Sequence, residues 1–192
     1  MKVPEGGIVA AVLAAGGSSR FGDDSKLVAR FRGEPMVSKA VNAALAADCF
    51  DHVLVVTGAV DLSEVLPAGV TTILNEAWVT GQASSVRAAT DAARDLGAAF
   101  VVIGLADQPF VEASAWHAVA TGPDDTPILV AAYEGRRGNP VRLRYDVWDE
   151  LPEDGDEGAR VLILSKPGLV SEVACIGSAI DIDTQEDLDR WN

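Results

Sequence analysis

Short apolar runs alternate with alanine-rich segments along the whole chain. Ile8–Leu13, His52–Thr57, Val70–Leu74, Phe100–Leu105, Pro127–Ala131 and Leu169–Ile176 have the length and apolar density of buried strands. Between them, Met36–Ala47, Gln82–Leu96 and Ala113–Ala120 are rich in helix formers. Alternation of this kind predicts a mostly parallel sheet covered by helices on both faces, with ligands received beyond the carboxyl ends of the strands. Gly135–Pro140 is punctuated by glycine and Asn-Pro and predicts a hairpin or exposed loop, after which Val141–Leu143 resumes an apolar alternation. Pro152–Gly158 predicts an acidic turn ahead of a short helix through Val161–Leu164.

The segment after the first run changes the picture from fold to chemistry. Leu13-Ala14-Ala15-Gly16-Gly17-Ser18-Ser19-Arg20-Phe21-Gly22, with Lys26 beyond it, puts a small-residue turn at a strand's carboxyl end. Backbone N–H groups in such a turn can face an anion without side chains in the way. Arg20 and Lys26 add fixed charge beside them, which suits a polyphosphate. A P-loop is excluded, because Asp23 and Asp24 stand where its lysine and hydroxyl belong. The spacing Gly16, Gly17, Gly22 also fails the dinucleotide pattern Gly-x-Gly-x-x-Gly.

Asp107 follows Phe100–Leu105 and so emerges on the same rim as the glycine turn. A carboxylate there suits Mg2+, which takes one or two carboxylates together with phosphate and water oxygens. Thr184 and Asp187 have capping-box spacing, which leaves Asp183 as a candidate second metal ligand at a strand end, with Asp181 as the alternative. Ser84 and Ser85, at the opening of a long helix, could meet a phosphate or a base edge. His52, His117 and the four tryptophans read as structural residues. No covalent nucleophile or histidine base is visible, and phosphoryl and nucleotidyl transfers can do without one when the attacking group is already an anion, because positioning and charge neutralisation carry most of the rate.

Composition narrows the setting. With 192 residues and 48% hydrophobic content, one domain spanning 1–192 is expected. No apolar run approaches the roughly 20 residues of a membrane span, and the first seven residues lack a signal-like core, so a cytoplasmic protein is expected. Cys49 and Cys175 have neither zinc-site nor disulfide-scaffold spacing. A net charge of −14 argues against nucleic acid or an anionic membrane as partner. The region from Arg20 to Lys39 is the exception, with five cations against three acids, whereas Asp149 to the end carries twelve acids against three cations.

Six collinear pieces together resemble the molybdenum cofactor nucleotidyltransferases, most closely the molybdopterin cytidylyltransferase branch. They are Leu13-Ala14-Ala15-Gly16-x-Ser18-x-Arg20-x-Gly22 with Lys26, Asn75-x-x-Trp78-x-x-Gly81-x-x-x-Ser85, Ala106-Asp107-Gln108-Pro109, Gly138-Asn139-Pro140-Val141, Gly155-Asp156-x-Gly158-Ala159-Arg160 and Asp181-Ile182-Asp183-Thr184. The resemblance implies a Rossmann-like three-layer α/β/α fold of the nucleotide-diphospho-sugar transferase type. It implies transfer of a nucleoside monophosphate from CTP or GTP to the terminal phosphate of molybdopterin, with Mg2+ and release of pyrophosphate. A molybdoenzyme or its chaperone would be the protein partner. Leu13, Ala14, Ala15 and Gly16 would hold base and sugar, Arg20 and Lys26 the triphosphate, and Asp107 with Asp183 the metal. The segments at Asn75 to Ser85, with Gly81, Gln82 and Ser85 among the nucleotide contacts, at Asn139 and at Gly158–Arg160 would shape the nucleotide and pterin pockets. Leu-Ala-Ala-Gly accompanies the CTP-using branch, so Ala15 implies CTP. The chain departs from the family pattern in the Gly22–Lys26 spacing, in Asn139 where histidine is usual and in Ala106 where glycine is frequent.

Overall fold

The computed structural model describes residues 6–17, 21 and 25–192. Nine strands and five α-helices are described: β1 (Gly7–Ala14), β2 (Arg30–Phe31), β3 (Glu34–Pro35), α1 (Met36–Ala46), β4 (His52–Thr57), β5 (Thr71–Leu74), α2 (Gln82–Asp95), β6 (Ala98–Leu105), α3 (Ala113–Thr121), β7 (Ile128–Tyr133), β8 (Arg136–Arg144), α4 (Arg160–Ser165), β9 (Val170–Ala174) and α5 (Gln185–Trp191). Seven strands form one sheet in the order β5-β4-β1-β6-β8-β7-β9, and β2 and β3 form a separate ribbon. Within the large sheet β8 alone runs antiparallel to its neighbours, β6 and β7.

Period-two alternation builds two cores from each central strand. Val9, Ala11, Leu13 and Ala15 face one layer, where Val86, Ala89 and Ala93 of α2, Leu162 of α4 and Trp148 cover them. Ala10, Val12 and Ala14 face the other, against Val37, Val41 and Ala44 of α1 and Trp116 and Val119 of α3. Small residues on β1 allow this close double cover. Both faces are sealed, so the strands read as unbroken apolar runs.

A third cluster positions the C-terminal segment. Phe21, Phe31, Met36, Ile182 and Leu188 pack together, and the Ile182 N–H donates to the Asp107 carbonyl at 2.9 Å. Ile182 is fully buried, so its neighbours Asp181 and Asp183 are turned outward along the rim. The Thr184–Asp187 capping box forms as the sequence predicts and starts α5.

Two expectations are corrected. Leu169–Ile176 is shorter as a strand, ending at Ala174, so Asp181 and Asp183 lie on an extended segment outside the sheet and not at a strand end. Gly135–Pro140 is mostly strand: a two-residue turn at Glu134-Gly135, both with positive φ, joins β7 to β8, and Arg136–Asn139 already belongs to β8. Two successive positive φ values match a tight hairpin turn, which local glycine and proline signals place a few residues late.

Candidate active site

Seven stretches of the chain converge at the carboxyl end of the parallel strands, and they enclose two adjoining cavities. The smaller, about 340 Å³, is lined by Leu13, Ala15, Gly16 and Gly17 beyond β1, by Trp78, Val79, Gly81, Gln82 and Ser85, and by Leu105, Asp107 and Asp156. The larger, about 570 Å³, is lined by side chains that include Gln108, Arg137, Asn139, Arg160, Leu164 and Asp181. Gln82, Leu105 and Asp156 belong to both walls. The two cavities therefore form one cleft with a shared partition.

The segment between β5 and α2 is held by a buried polar network. Asn75 donates from Nδ2 to Ser84 Oγ at 2.9 Å and to Ser85 Oγ at 3.0 Å, and its Oδ1 accepts from the Ala77 N–H at 3.0 Å. Ser84 Oγ in turn donates to the Gly81 carbonyl at 2.8 Å. Gly81 has φ of +110°, and a Cβ there would come within 2.5 Å of the Gly155 backbone. That contact is needed, because the Ala83 N–H donates to the Gly155 carbonyl at 2.9 Å and the Gly155 N–H to the Thr80 carbonyl at 2.8 Å. The acidic turn is thus tied across the cleft and carries Asp156 to the partition.

The electrostatic centre is a triad. Lys26 Nζ lies 2.6 Å from Asp107 Oδ2 and 2.8 Å from Asp183 Oδ1. Burial opposes the ammonium charge, but Asp107 first, and then Asp183, outweigh it and hold the Lys26 pKa above its ordinary value. Asp107 Oδ1 is buried and hydrogen-bonded to nothing among the described residues. Asp181, on the other side of Ile182, accepts from Gln108 Nε2 at 2.8 Å. Burial raises its carboxyl pKa, the Gln108 hydrogen bond works against that, and the charges of Asp107 and Asp183 add to it.

Two carboxylates already converge on one cation, and one of them keeps a buried oxygen in reserve, so the donor set fits a hard divalent metal completed by phosphate and water oxygens. Among the described residues no group of three or more His, Cys, Asp or Glu side chains gathers at a metal site.

The structure brings together most of the residues singled out from sequence. Leu13, Ala15, Gly16, Gly81, Gln82, Ser85 and Asp107 line the smaller cavity. Lys26 reaches Asp107 from the side. Ala14 is a correction, because alternation turns its methyl into the opposite core, where it is 2% exposed. Ser84 is another, since its hydroxyl is spent on the Gly81 and Ala77 carbonyls. Arg20, Ser18 and Gly22 lie outside the described residues. Asp107 does not cap the next helix, since Glu112 precedes α3. His52 begins β4 and His117 contacts the Ala47 carbonyl, both away from the cleft. Trp78, read singly as a packing residue, lines the smaller cavity within the Asn75 to Ser85 segment that the resemblance assigns to the pockets, whereas sequence reasoning missed Asp156 as a lining residue and the pairing of Gln108 to Asp181. The run Gly155-Asp156 was the available signal, since a glycine and a carboxylate beside a helix start mark a turn that can approach another backbone.

Comparison with known proteins agrees with this geometry. Residues 10–169 match the family described as the MobA-like NTP transferase domain. The chain is 32% identical over 197 residues to the purine catabolism protein PucB of Bacillus subtilis strain 168, covering 95% of this chain and 94% of that one. It is 27% identical over 197 residues to nicotine blue oxidoreductase of Paenarthrobacter nicotinovorans, covering 95% of each. Among solved structures, the Rv0371c protein of Mycobacterium tuberculosis H37Rv, in complex with manganese, superposes with a TM-score of 0.79 at 25% identity, over 96% of this chain and 97% of that one. The sheet order and its flanking helices are those of the nucleotide-diphospho-sugar transferase fold. No helix among the described residues is long and apolar enough to cross a membrane. A glycine turn, a rim aspartate and a lysine meeting on this scaffold, together with the family match over most of the chain, identify the protein as a member of the MobA-like nucleotidyltransferase family.

Proposed function

We propose that the protein transfers CMP from CTP to the terminal phosphate of molybdopterin, releasing pyrophosphate in an Mg2+-dependent reaction. The observation that carries this reading is the divided cleft: a cavity walled by the glycine turn shares Gln82, Leu105 and Asp156 with a larger one, beside the Lys26–Asp107–Asp183 triad. A nucleotide in the first and a phosphorylated acceptor in the second would meet at the partition. The family supplies the reaction type, and Ala15 in the turn supports CTP.

Asp107 and Asp183 would hold the metal, which when bound neutralises the triphosphate and polarises its oxygens. The amides of the glycine turn receive the nucleotide, and Arg20 and Lys26 bind the β- and γ-phosphates. An acceptor phosphate oxygen forms a bond to the α-phosphorus as the bond to pyrophosphate breaks. The attacking oxygen is already anionic, so no side chain need remove a proton, and the distance of both histidines from the cleft agrees with that.

Pyrophosphate release from CTP, GTP, ATP and UTP, with and without molybdopterin, tests the reading. The expected result is release that needs CTP and molybdopterin together. Release driven by GTP, or by a sugar or polyol phosphate in place of molybdopterin, reassigns the substrate, and nucleotide binding without turnover makes the protein an accessory to molybdoenzyme maturation. A redox reading has one observation behind it, the likeness to a protein named an oxidoreductase. Oxidation of NADH or NADPH in the same preparation, in the absence of CTP, would favour it.

A further inference from the structure

The floor of the larger cavity is set by one amide. Gln108 is 4% exposed, and its Nε2 lies 2.8 Å from Asp181 Oδ1 and 3.3 Å from the Ala179 carbonyl. A carboxylate and a carbonyl are both acceptors, so the amide can be placed only with its nitrogen toward them. Gln108 Oε1 must then face Asn139, 3.2 Å away, which obliges Asn139 to present Nδ2 to it. The orientation passes down the chain of contacts without ambiguity. Asn139 is left with Oδ1, and Asp181 with its second carboxylate oxygen, and both residues line the cavity. Neither oxygen has a protein partner among the described residues.

The backbone around this group is held independently. The Asn139 carbonyl accepts from the Tyr133 hydroxyl at 2.7 Å, and a Cβ on Gly138 would come within 2.7 Å of the Ala179 methyl. Asn139 and Ala179, which meet the two ends of the Gln108 amide, are thereby held in place. Arg160 also lines this cavity, and its guanidinium has no side-chain partner among the described residues.

Resting on the proposed acceptor site above, we propose that Gln108 is a positioning residue that gives the floor of the acceptor cavity acceptor-only polarity. Such a floor selects a ring that presents neighbouring N–H donors, an amino group beside a ring N–H, while Arg160 meets the anionic end of the same molecule. A ring that turns carbonyl oxygens to the floor would set acceptor against acceptor, leaving groups desolvated and unpaired.

The test uses two fluorescent rings that differ at this edge alone: pterin-6-carboxylate, which has a 2-amino group, and lumazine-6-carboxylate, which has an oxo group in its place. Binding of each is titrated to the wild-type protein saturated with CTP and Mg2+. The wild type should bind the pterin more tightly by roughly 10- to 100-fold, the range expected for hydrogen bonds to a charged partner. Gln108→Leu should bring the two within about threefold while leaving CTP affinity unchanged, a split that general loss of structure would not produce. Gln108→Glu keeps the oxygen that orients Asn139 but sets a second carboxylate against Asp181, so it should retain part of the preference. Equal binding of both rings by the wild type overturns the proposal without any variant, and so does an unchanged ratio in Gln108→Leu. Failure of both rings to bind while CTP binds normally removes the acceptor-site reading itself, a separable outcome.

Discussion

The two cavities of the cleft are built by different means, although they share a wall. The smaller has one wall, Leu13 to Gly17, that is a small-residue turn continuous in the chain, and Trp78 to Ser85 with Leu105, Asp107 and Asp156 complete it. The larger is made of side chains from six separate stretches, around residues 82–86, 103–108, 130, 137–141, 156–164 and 179–181. A surface of backbone amides binds what all nucleoside triphosphates have in common. A surface of gathered side chains can read one acceptor. Contact with the shared chemistry is thus fixed by a turn, and selectivity is left to residues that only folding brings together.

The largest effect should come from removing the carboxylate at the junction. Asp107→Ala should lower kcat by at least about 10²–10³-fold and abolish its dependence on Mg2+, with the fold retained, since a rim carboxylate adds little to the core. Circular dichroism and an Mg2+ titration of turnover check this. Near-normal, Mg2+-dependent turnover would detach the metal from the triad.

The bridge between the cavities comes next. Gly81→Ala forces a side chain onto a φ of +110° and into the Gly155 backbone, so it should release the acidic turn from the partition. KM should rise for nucleotide and acceptor together, about tenfold or more, the size of effect that misplacing a distant binding group by an ångström can have. A change confined to one substrate would show that the partition is not shared.

Asp183→Ala should act in the same direction as Asp107→Ala but less, because Asp183 is one-third exposed and stands at the edge of the triad. An unaltered Mg2+ requirement would return Asp183 to a purely structural role. The smallest effect is expected at Ala15, whose methyl is 4% exposed and packs toward Gly58. Ala15→Gly should relax the preference for CTP over GTP by about 1–3 kcal/mol at most, the usual worth of a methylene-sized contrast. The ratio of kcat/KM values for the two nucleotides reports it, and no change would place base selection elsewhere in the smaller cavity.

What the sequence made legible follows the same division. The three-layer architecture, the strand from His52 to Thr57, the starts of α1, α2 and α3, and the capping box at Thr184 were all readable, because period-two and period-3.6 patterns and caps are local signals. The glycine turn and Asp107 were readable for the same reason: each directly follows an apolar strand. The different partners of Asp181 and Asp183 were not, since burial of Ile182 against Phe21, Phe31 and Met36 turns both outward, and only the folded chain sets Gln108 beside one and Lys26 beside the other. Lys26 was read as a phosphate ligand alone, and its pairing with both aspartates depends on that long-range packing. Gly135–Pro140 reads as a hairpin or an exposed loop, and the hairpin is present, but its glycine and Asn-Pro hide that Arg136–Asn139 is already strand paired to β7.

The division of labour between the two cavities is tested most directly by measuring KM for CTP and for molybdopterin separately in two variants, one from each side. Lys26→Ala should raise KM for CTP by about 10²-fold, with binding of CMP much less affected and KM for molybdopterin nearly unchanged. Arg160→Ala should do the reverse, weakening molybdopterin and sparing CTP. If both variants weaken the same substrate, or each weakens the substrate assigned to the other cavity, the two-cavity account is wrong.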